Sequence, residues 1–519
     1  MIKLTIIAGL IKKYRTYIVL FFITSFAYFP ISYTIAGWDQ YYYFWGAKSI
    51  LQNHTYLVDG NPPQYPMGLS LLIVPFFYLF GISELSAILP CIISGALVVV
   101  LLFDFANRMF DLRTALFASI VMMFSYNWWL STTIRSDVPA LLFIMLSIFA
   151  MVKYVRSGRR TFIYAFYTFA GFACLLRYTS LLIFPIMISY IVFSKKWFIF
   201  KNKDVWLGIL LFLVVISPQM IYNHFSFGWA LETGYGASVP ERVEHVHTPK
   251  TSEIFNLMLI LLSGFSTPVF PFFVYGIWSL FKEEKWEELS LLISWFAVVF
   301  ALVTLYICID IRYFYPALPP ILLIAGYGFS DIYDKARNRG NLMKIIVLLI
   351  IVLLITPTAC FMFDNVRRRS VEGALMKDVF IWVGKNSSPN DVVLCCECWE
   401  APKYYSGRDI YSLTLPRDEI KRLISGNKTF LIVHQAWKDS MWRKENGMSA
   451  EAMRHAFDMI EYINKTYELT HVNSFELSYK PLPFSAIIFD VGNKMDFVLL
   501  RPLYDDRWDI YTVFPEEIT

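Results

Sequence analysis

Charge is scarce along this chain. Only 17% of its 519 residues are Asp, Glu, Lys or Arg, where soluble domains carry about 25%. With a mean hydropathy of +0.50, the deficit points to a bilayer as solvent and excludes an ordinary water-soluble core. The net charge of +5 is too small to imply a nucleic-acid partner, because basic cytoplasmic loops alone explain it. Cysteine is sparse too. Cys91, Cys174, Cys308 and Cys360 lie in apolar runs, where a thiol packs as a small hydrophobe. Cys395, Cys396 and Cys398 cluster further on, but no second cysteine pair or histidine pair follows to complete a metal site. In an oxidising compartment one disulfide among these three is the alternative. Internal repeats and low-complexity segments are missing as well, which counts against a transporter built from two repeated halves.

Long apolar runs are abundant instead. The basic start (Lys3, Lys12, Lys13, Arg15) feeds a run long enough to span, with no small-residue cleavage pattern after it. About eleven spans are expected. They lie near Tyr17–Ala36, Leu85–Phe103, Thr114–Ser131, Val138–Val152, Phe162–Leu176, Tyr178–Phe193, Val205–Tyr222, Phe265–Phe281, Leu289–Ile309, Tyr313–Phe329 and Ile345–Phe363. Counted from a cytoplasmic N-terminus, one set of connections is rich in Lys and Arg, as at Arg156, Arg159, Arg160, Lys195, Lys196, Lys201 and Lys203. The opposite set is longer in total yet holds only Lys48, Arg135, Arg177, Arg242, Lys250 and Arg312. This asymmetry places the N-terminus inside and the tail outside. The Asn-X-Ser/Thr triplets at Asn53, Asn386, Asn427 and Asn464 all fall on the expected outer side.

Two domains follow from the change of character after Phe363: a membrane domain over 1–363, with a long outer loop at 37–84, and an extracytoplasmic α/β domain over 364–519. Short β-rich runs (Asp391–Cys396, Phe430–His434, Ser485–Val491, Asp496–Leu500) alternate there with helical stretches at Arg417–Ser425 and Ser449–Asn464.

Ionisable groups at membrane depth are costly and are functional candidates by default. Here they stand at the outer ends of helices: Asp39, Arg135, Asp137, Arg177, Asp310 and Arg312. Taken singly, each reads equally well as a solvated end residue. As a set in loops otherwise poor in basic residues, they point to one cavity. His245 and His247, with Glu241 and Glu244, read as part of a polar covering loop rather than a metal site, and His434 as structural. The first outer loop has Asp39, an aromatic-rich amphipathic piece (Tyr41–Leu51), a turn at Asp59-Gly60, Pro62-Pro63 and a short apolar piece (Gly68–Phe80). Its length and order suit a roof over a site.

An Asp after the first helix, an aromatic helix, and a Pro-Pro/Tyr-Pro-x-Gly segment ending in Leu-Phe-Gly resemble the GT-C superfamily of membrane glycosyltransferases. The protein-mannosyltransferase and aminoarabinose-transferase branch is the nearest likeness. Ser131–Phe143 resembles the family's second acidic position, Leu175–Pro185 its basic hairpin tip, and Asp310–Gly328 its Arg-Tyr-x-x-Pro-x-x-Pro span. The resemblance covers about the first 330 residues in order. It implies an integral-membrane inverting enzyme, in the cell membrane or the endoplasmic reticulum. Such an enzyme takes a sugar from a dolichyl or undecaprenyl phosphate donor. It passes that sugar to a protein, lipid or glycan acceptor.

Within that resemblance, Asp39 takes the role of general base. Arg177 and Arg312, with Arg135 as a third candidate, meet the lipid phosphate. Asp137 orients the acceptor or shares a divalent cation, Mg or Mn, with Asp39. Tyr42 and Tyr65 are expected to contact donor or sugar, and no organic cofactor is implied. Trp38, Tyr41, Trp128, Trp129 and Tyr313 suit an interfacial aromatic belt. The sequence departs from the family in three places. Asp39 is followed by Gln40 rather than Glu. No Lys precedes the Pro-rich turn, where Lys48 is a weak substitute. Trp128-Trp129 is followed by Leu130, unlike the Trp-Trp-Asp motif of oligosaccharyltransferases. The competing readings are a transporter or flippase of lipid-linked saccharides and a noncatalytic scaffold.

Overall fold

The computed structural model describes residues 2–29, 34–35, 38–234, 269–305, 311–337, 340–395, 400–426, 428–434, 450–478 and 505–517. Two compact units share the chain. One holds Met1–Phe29 and Tyr42–Met362, the other Pro30–Tyr41 and Phe363–Thr519.

The first unit is helical. Its elements are α1 (Ile2–Ala27), α2 (Trp38–Asn53, of which Tyr42 onward belongs here), α3 (Gly68–Phe80), α4 (Glu84–Met109), α5 (Leu112–Met123), α6 (Tyr126–Ser131) and α7 (Asp137–Ser157). Then come α8 (Arg160–Leu176), α9 (Ile183–Phe193), α10 (Lys203–Phe227), α11 (Phe270–Lys282), α12 (Trp286–Leu305) and α13 (Leu318–Arg337). A long helix, α14 (Asn341–Asn386), passes the division between the units.

Each stretch read from the sequence as a span falls wholly or partly on helix. Four helical segments among the described residues are long and apolar enough to cross a bilayer by themselves: Glu84–Met109, Asp137–Ser157, Lys203–Phe227 and Trp286–Val303. Several boundaries differ, for identifiable reasons. The first helix begins at Ile2 and stops at Ala27, three residues before Pro30, where a helix loses both an N–H and the α conformation of the preceding residue. The third expected span is broken at Phe124. Ser125 leaves the helix, and its side chain caps a new one by accepting from the Asn127 N–H. The tenth begins as a 3-10 turn over Ile311–Ala317 that contains Pro316. The last runs on well past Phe363, to Asn386.

Apolar side chains left bare support an integral-membrane location. On α10, Trp206, Leu210, Val214 and Ile221 are all more than half exposed. In water such a stripe would be a large uncompensated apolar surface, whereas lipid chains satisfy it. By contrast α4 and α7 are mostly buried.

The second unit carries a five-stranded mixed sheet, ordered β2-β1-β3-β5-β4. Its strands are β1 (Val392–Cys395), β2 (Ile410–Ser412), β3 (Thr429–His434), β4 (Tyr467–Ser478) and β5 (Asp505–Glu517). β1 pairs in parallel with β2 and β3, while β5 runs antiparallel to β3 and β4. Helices α15 (Glu400–Ser406), α16 (Arg417–Gly426) and α17 (Ala450–Thr466) complete it. Val392, Leu394, Leu431 and Val433 alternate onto one face and pack with Ile420 and Ile424 of α16 and Met459 and Ile463 of α17. The two strands expected at Ser485–Val491 and Asp496–Leu500 lie outside the described residues, as do Cys308, Cys396 and Cys398.

Candidate active site

The site begins with a glycine. In the Tyr-Pro-Met-Gly turn, a Cβ on Gly68 would overlap the Leu175 carbonyl oxygen. Only a residue without one lets the start of α3 lie against the end of α8. The turn is pinned on its other sides. The Tyr56 hydroxyl donates to the Tyr65 and Pro66 carbonyls at 3.1 and 3.3 Å. The Met67 N–H donates to Gln219 Oε1 at 2.8 Å, and Tyr222 donates to the Tyr56 carbonyl at 2.8 Å.

Two residues past Leu175, the chain leaves α8 at Arg177 with extended backbone. The guanidinium donates from Nη1 to Asp137 Oδ1 and from Nε to Thr179 Oγ1 at 3.2 Å. Its Nη2 has no hydrogen-bond partner among the described residues. The Asp137 side chain is 4% exposed and that of Arg177 21%, so this pair is screened far less than a surface one. Burial works most strongly against the Arg177 charge, but the Asp137 carboxylate, Tyr313 and Tyr43 together raise the guanidinium above its ordinary range. Asp137 in turn occupies the first turn of α7, where the helix dipole favours a negative charge.

The 3-10 turn at 311–317 completes the cluster. Tyr313 presents its ring 4.8 Å from Arg177 Cζ. Arg312 is close enough for its charge to oppose that of Arg177. Tyr315, three residues on, is buried and donates to Asn127 Oδ1. Asn127 Nδ2 donates to Tyr28 Oη at 2.7 Å, and Tyr28 to the Met123 carbonyl at 3.0 Å. This network ties the turn bearing Arg312 to α1, α5 and α6.

α2 approaches through aromatic rings. Tyr43 donates to Ser136 Oγ at 2.9 Å, one residue before Asp137. Its ring lies 5.2 Å from that of Tyr65, and the Tyr42 ring lies 5.5 Å from Tyr65. Of the residues expected from sequence, Asp137, Arg177 and Arg312 come together, and Tyr42 meets Tyr65. Arg135 turns to the Trp129 ring, 5.5 Å away. Asp39 is half-buried in the first turn of α2 and groups with the second unit. Asp310, Glu241, Glu244, His245 and His247 lie outside the described residues. Tyr43, Ser136, Asn127 and Tyr315 were not singled out by sequence. A tyrosine among six aromatics between Trp38 and Trp45, or an amide in an apolar run, carries no distinguishing pattern.

The expected cation does not fit Asp137 as it stands. A divalent ion needs carboxylate oxygens that are not already neutralised, and Asp137 accepts from a guanidinium. No group of three potential metal ligands occurs among the described residues.

Comparison with known proteins finds likeness in part of the sequence and in the fold. Residues 64–222 match the family model described as dolichyl-phosphate-mannose-protein mannosyltransferase. The fold resembles those of solved ArnT and archaeal oligosaccharyltransferase structures, in line with the GT-C resemblance read from the sequence. The solved structure of ArnT from Cupriavidus metallidurans matches with a TM-score of 0.60 at 14% identity, covering 82% of this chain and 93% of that one. The same enzyme bound to undecaprenyl phosphate matches at 0.58 and 13% identity, covering 81% and 93%. The Archaeoglobus fulgidus oligosaccharyltransferase matches at 0.55 and 12% identity, covering 88% and 72%, in a structure complexed with Zn and sulfate. No curated protein sequence matches the chain.

Proposed function

We propose that this protein is an inverting glycosyltransferase that moves a hexosyl or pentosyl group from a polyprenyl phosphate, dolichyl or undecaprenyl, to a protein, lipid or glycan acceptor outside the membrane. The observation that carries the reading is Arg177: a half-buried guanidinium, fixed by Asp137 and Tyr313, with Nη2 still able to donate. Fixed donors of this kind suit a phosphate leaving group and need no reorganisation as charge develops. Arg312 adds a second positive charge beside it. The structural neighbours include one enzyme solved with undecaprenyl phosphate and an archaeal one solved with dolichol-phosphate, and both carry this fold.

The chemistry is one displacement. The acceptor nucleophile attacks C1 of the sugar, the C1–O bond to the lipid phosphate breaks, and the electron pair leaves on the phosphate. Asp39 takes the acceptor's proton. Asp137 holds Arg177 in place and is not available as the base while paired. No step is assigned to a Mg or Mn ion. In this reading the N-terminus is cytoplasmic, and the domain at 364–519 lies on the side where transfer occurs. Tyr42 and Tyr65 form an aromatic wall for donor or sugar.

Transfer of radiolabelled sugar from a polyprenyl-phosphate donor by purified protein tests the reading, with the anomeric configuration of the product read by NMR. Inversion is expected, and retention contradicts a single displacement. Asp39→Asn should lower turnover by about 10²-fold or more, the usual worth of a general base, with the protein still inserted and folded. Near-normal turnover removes Asp39 from that role.

A further inference from the structure

A second site lies on the far side of α2. Trp45, Lys48, Ser49, Gln52 and Asn53 recur at steps of three and four, so they share one helix face. That face is roughly 140° round the helix from Tyr43, at about 100° per residue. The chain then reverses on itself. Asp59 and Gly60 have φ of 49° and 80°, and Val58 and Asn61 bridge in antiparallel fashion. Two successive positive φ angles make the tight turn that an Asp-Gly pair favours. The reversal brings Leu57, Asp59 and Gly60 against the α2 face and bounds an open-sided cavity of about 270 Å³. A hydrogen bond between Ser49 Oγ and Thr55 Oγ1, at 3.1 Å, fastens the fold-back.

The lining has an unusual charge arrangement. Lys48 Nζ sits 3.8 Å from the centre of the Trp45 ring. No carboxylate is within ion-pairing distance of it among the described residues. The charged groups lining the cavity are Lys48 from the helix and Asp59 from the turn, and Asp59 is exposed. A half-buried ammonium held on a ring without a counter-ion attracts an anion. Around it stand the Trp45 indole, two amides and two hydroxyls, which together suit the hydroxyls of a sugar. The lowering of the Lys48 pKa by burial agrees with the incomplete solvation of this charge.

We infer that this cavity is a recognition site for a saccharide bearing a negative charge, a uronate or a sugar phosphate. Resting on the transfer reading above, this saccharide is part of the acceptor, bound apart from the reacting centre. Its volume suits one sugar residue rather than a larger ligand.

Saturation-transfer NMR on the full-length protein in detergent, titrated with glucuronic acid, glucose 6-phosphate, glucose and inorganic phosphate, tests the site. At least one charged sugar should bind about tenfold more tightly than glucose or phosphate alone. Lys48→Met should lose that binding by about tenfold or more, and Lys48→Arg should keep most of it. Binding of glucuronic acid should also fall as pH rises through the lowered Lys48 pKa, because the cation is then lost. Equal binding by Lys48→Met at an unchanged melting temperature overturns the site. Inorganic phosphate binding as tightly as the sugars reduces it to an anion site and overturns the saccharide claim. With an acidic acceptor, Lys48→Met should raise the acceptor KM at unchanged kcat, and an unchanged KM overturns the acceptor assignment. Asp39→Asn separates the two readings: it should lose transfer and keep sugar binding.

Discussion

Arg177 uses one planar group for three tasks. Its Nη1 closes on Asp137, its Nε on Thr179, and its face lies against Tyr313. Lysine keeps the charge but has neither the fork nor the flat face. Arg177→Lys should therefore weaken donor affinity by about 10- to 100-fold, the worth of one charge-assisted hydrogen bond of about 1.5–3 kcal/mol. Binding of polyprenyl phosphate to the purified variant measures it, and wild-type affinity would remove Arg177 from the phosphate. The placement of Arg177 and Asp137 at helix ends was legible in the sequence, because charges are rare in such a chain. Their mutual bond was not. It joins residues 40 apart, and no local pattern encodes which side chains face each other when α7 and α8 fold back together. The hydroxyls of Tyr43 and Tyr315 were silent for a similar reason: their role comes from a partner on another helix.

Elements show where backbone chemistry was readable and where packing overrode it. β1, β3, α16 and α17 stood out through β-branched runs and amphipathic spacing. β4 and β5 did not, since Tyr467–Ser478 and Asp505–Glu517 mix polar and charged residues that suit a half-exposed ladder as well as a loop. The break between α5 and α6 was hidden inside one apolar run, because a Ser cap is a weak signal among membrane-embedded residues. That break is what allows Asn127 to accept from Tyr315. Tyr315→Phe leaves the buried Asn127 oxygen short of a donor. It should cost about 1–3 kcal/mol of stability and raise the donor KM through the displaced Arg312. A lower melting temperature without any KM change would confine the network to a structural role. At the Tyr-Pro-Met-Gly turn, Gly68→Ala forces apart α3 and the end of α8 by a methyl group. Overpacking of this sort costs about 1–3 kcal/mol. Arg177 follows two residues after the contact, so donor affinity should fall with stability, as thermal unfolding and donor titration would report together.

At the level of the whole molecule, the sorting of charge predicts a definite topology. Single cysteines introduced at exposed tail positions such as Arg422 should react with impermeant thiol reagents from outside intact cells, and one at Arg159 only after permeabilisation. Labelling of both from the same side would refute the topology. The number of spans was not readable from apolar length alone. Short helices such as α5 and α9 fall below the length that a lone span requires, and they depend on neighbours to cover their ends. The hairpin of α7 and α8 illustrates this dependence. Gly158, in the left-handed conformation, turns the chain at one end, and the Asp137–Arg177 pair fastens the other. The two helices thus form a loop clasped by the same guanidinium that offers Nη2 to an anion. In the proposed function, a donor phosphate arriving there competes with Asp137 for the shared cation, which would couple donor occupancy to the grip on the hairpin's mouth by simple electrostatics.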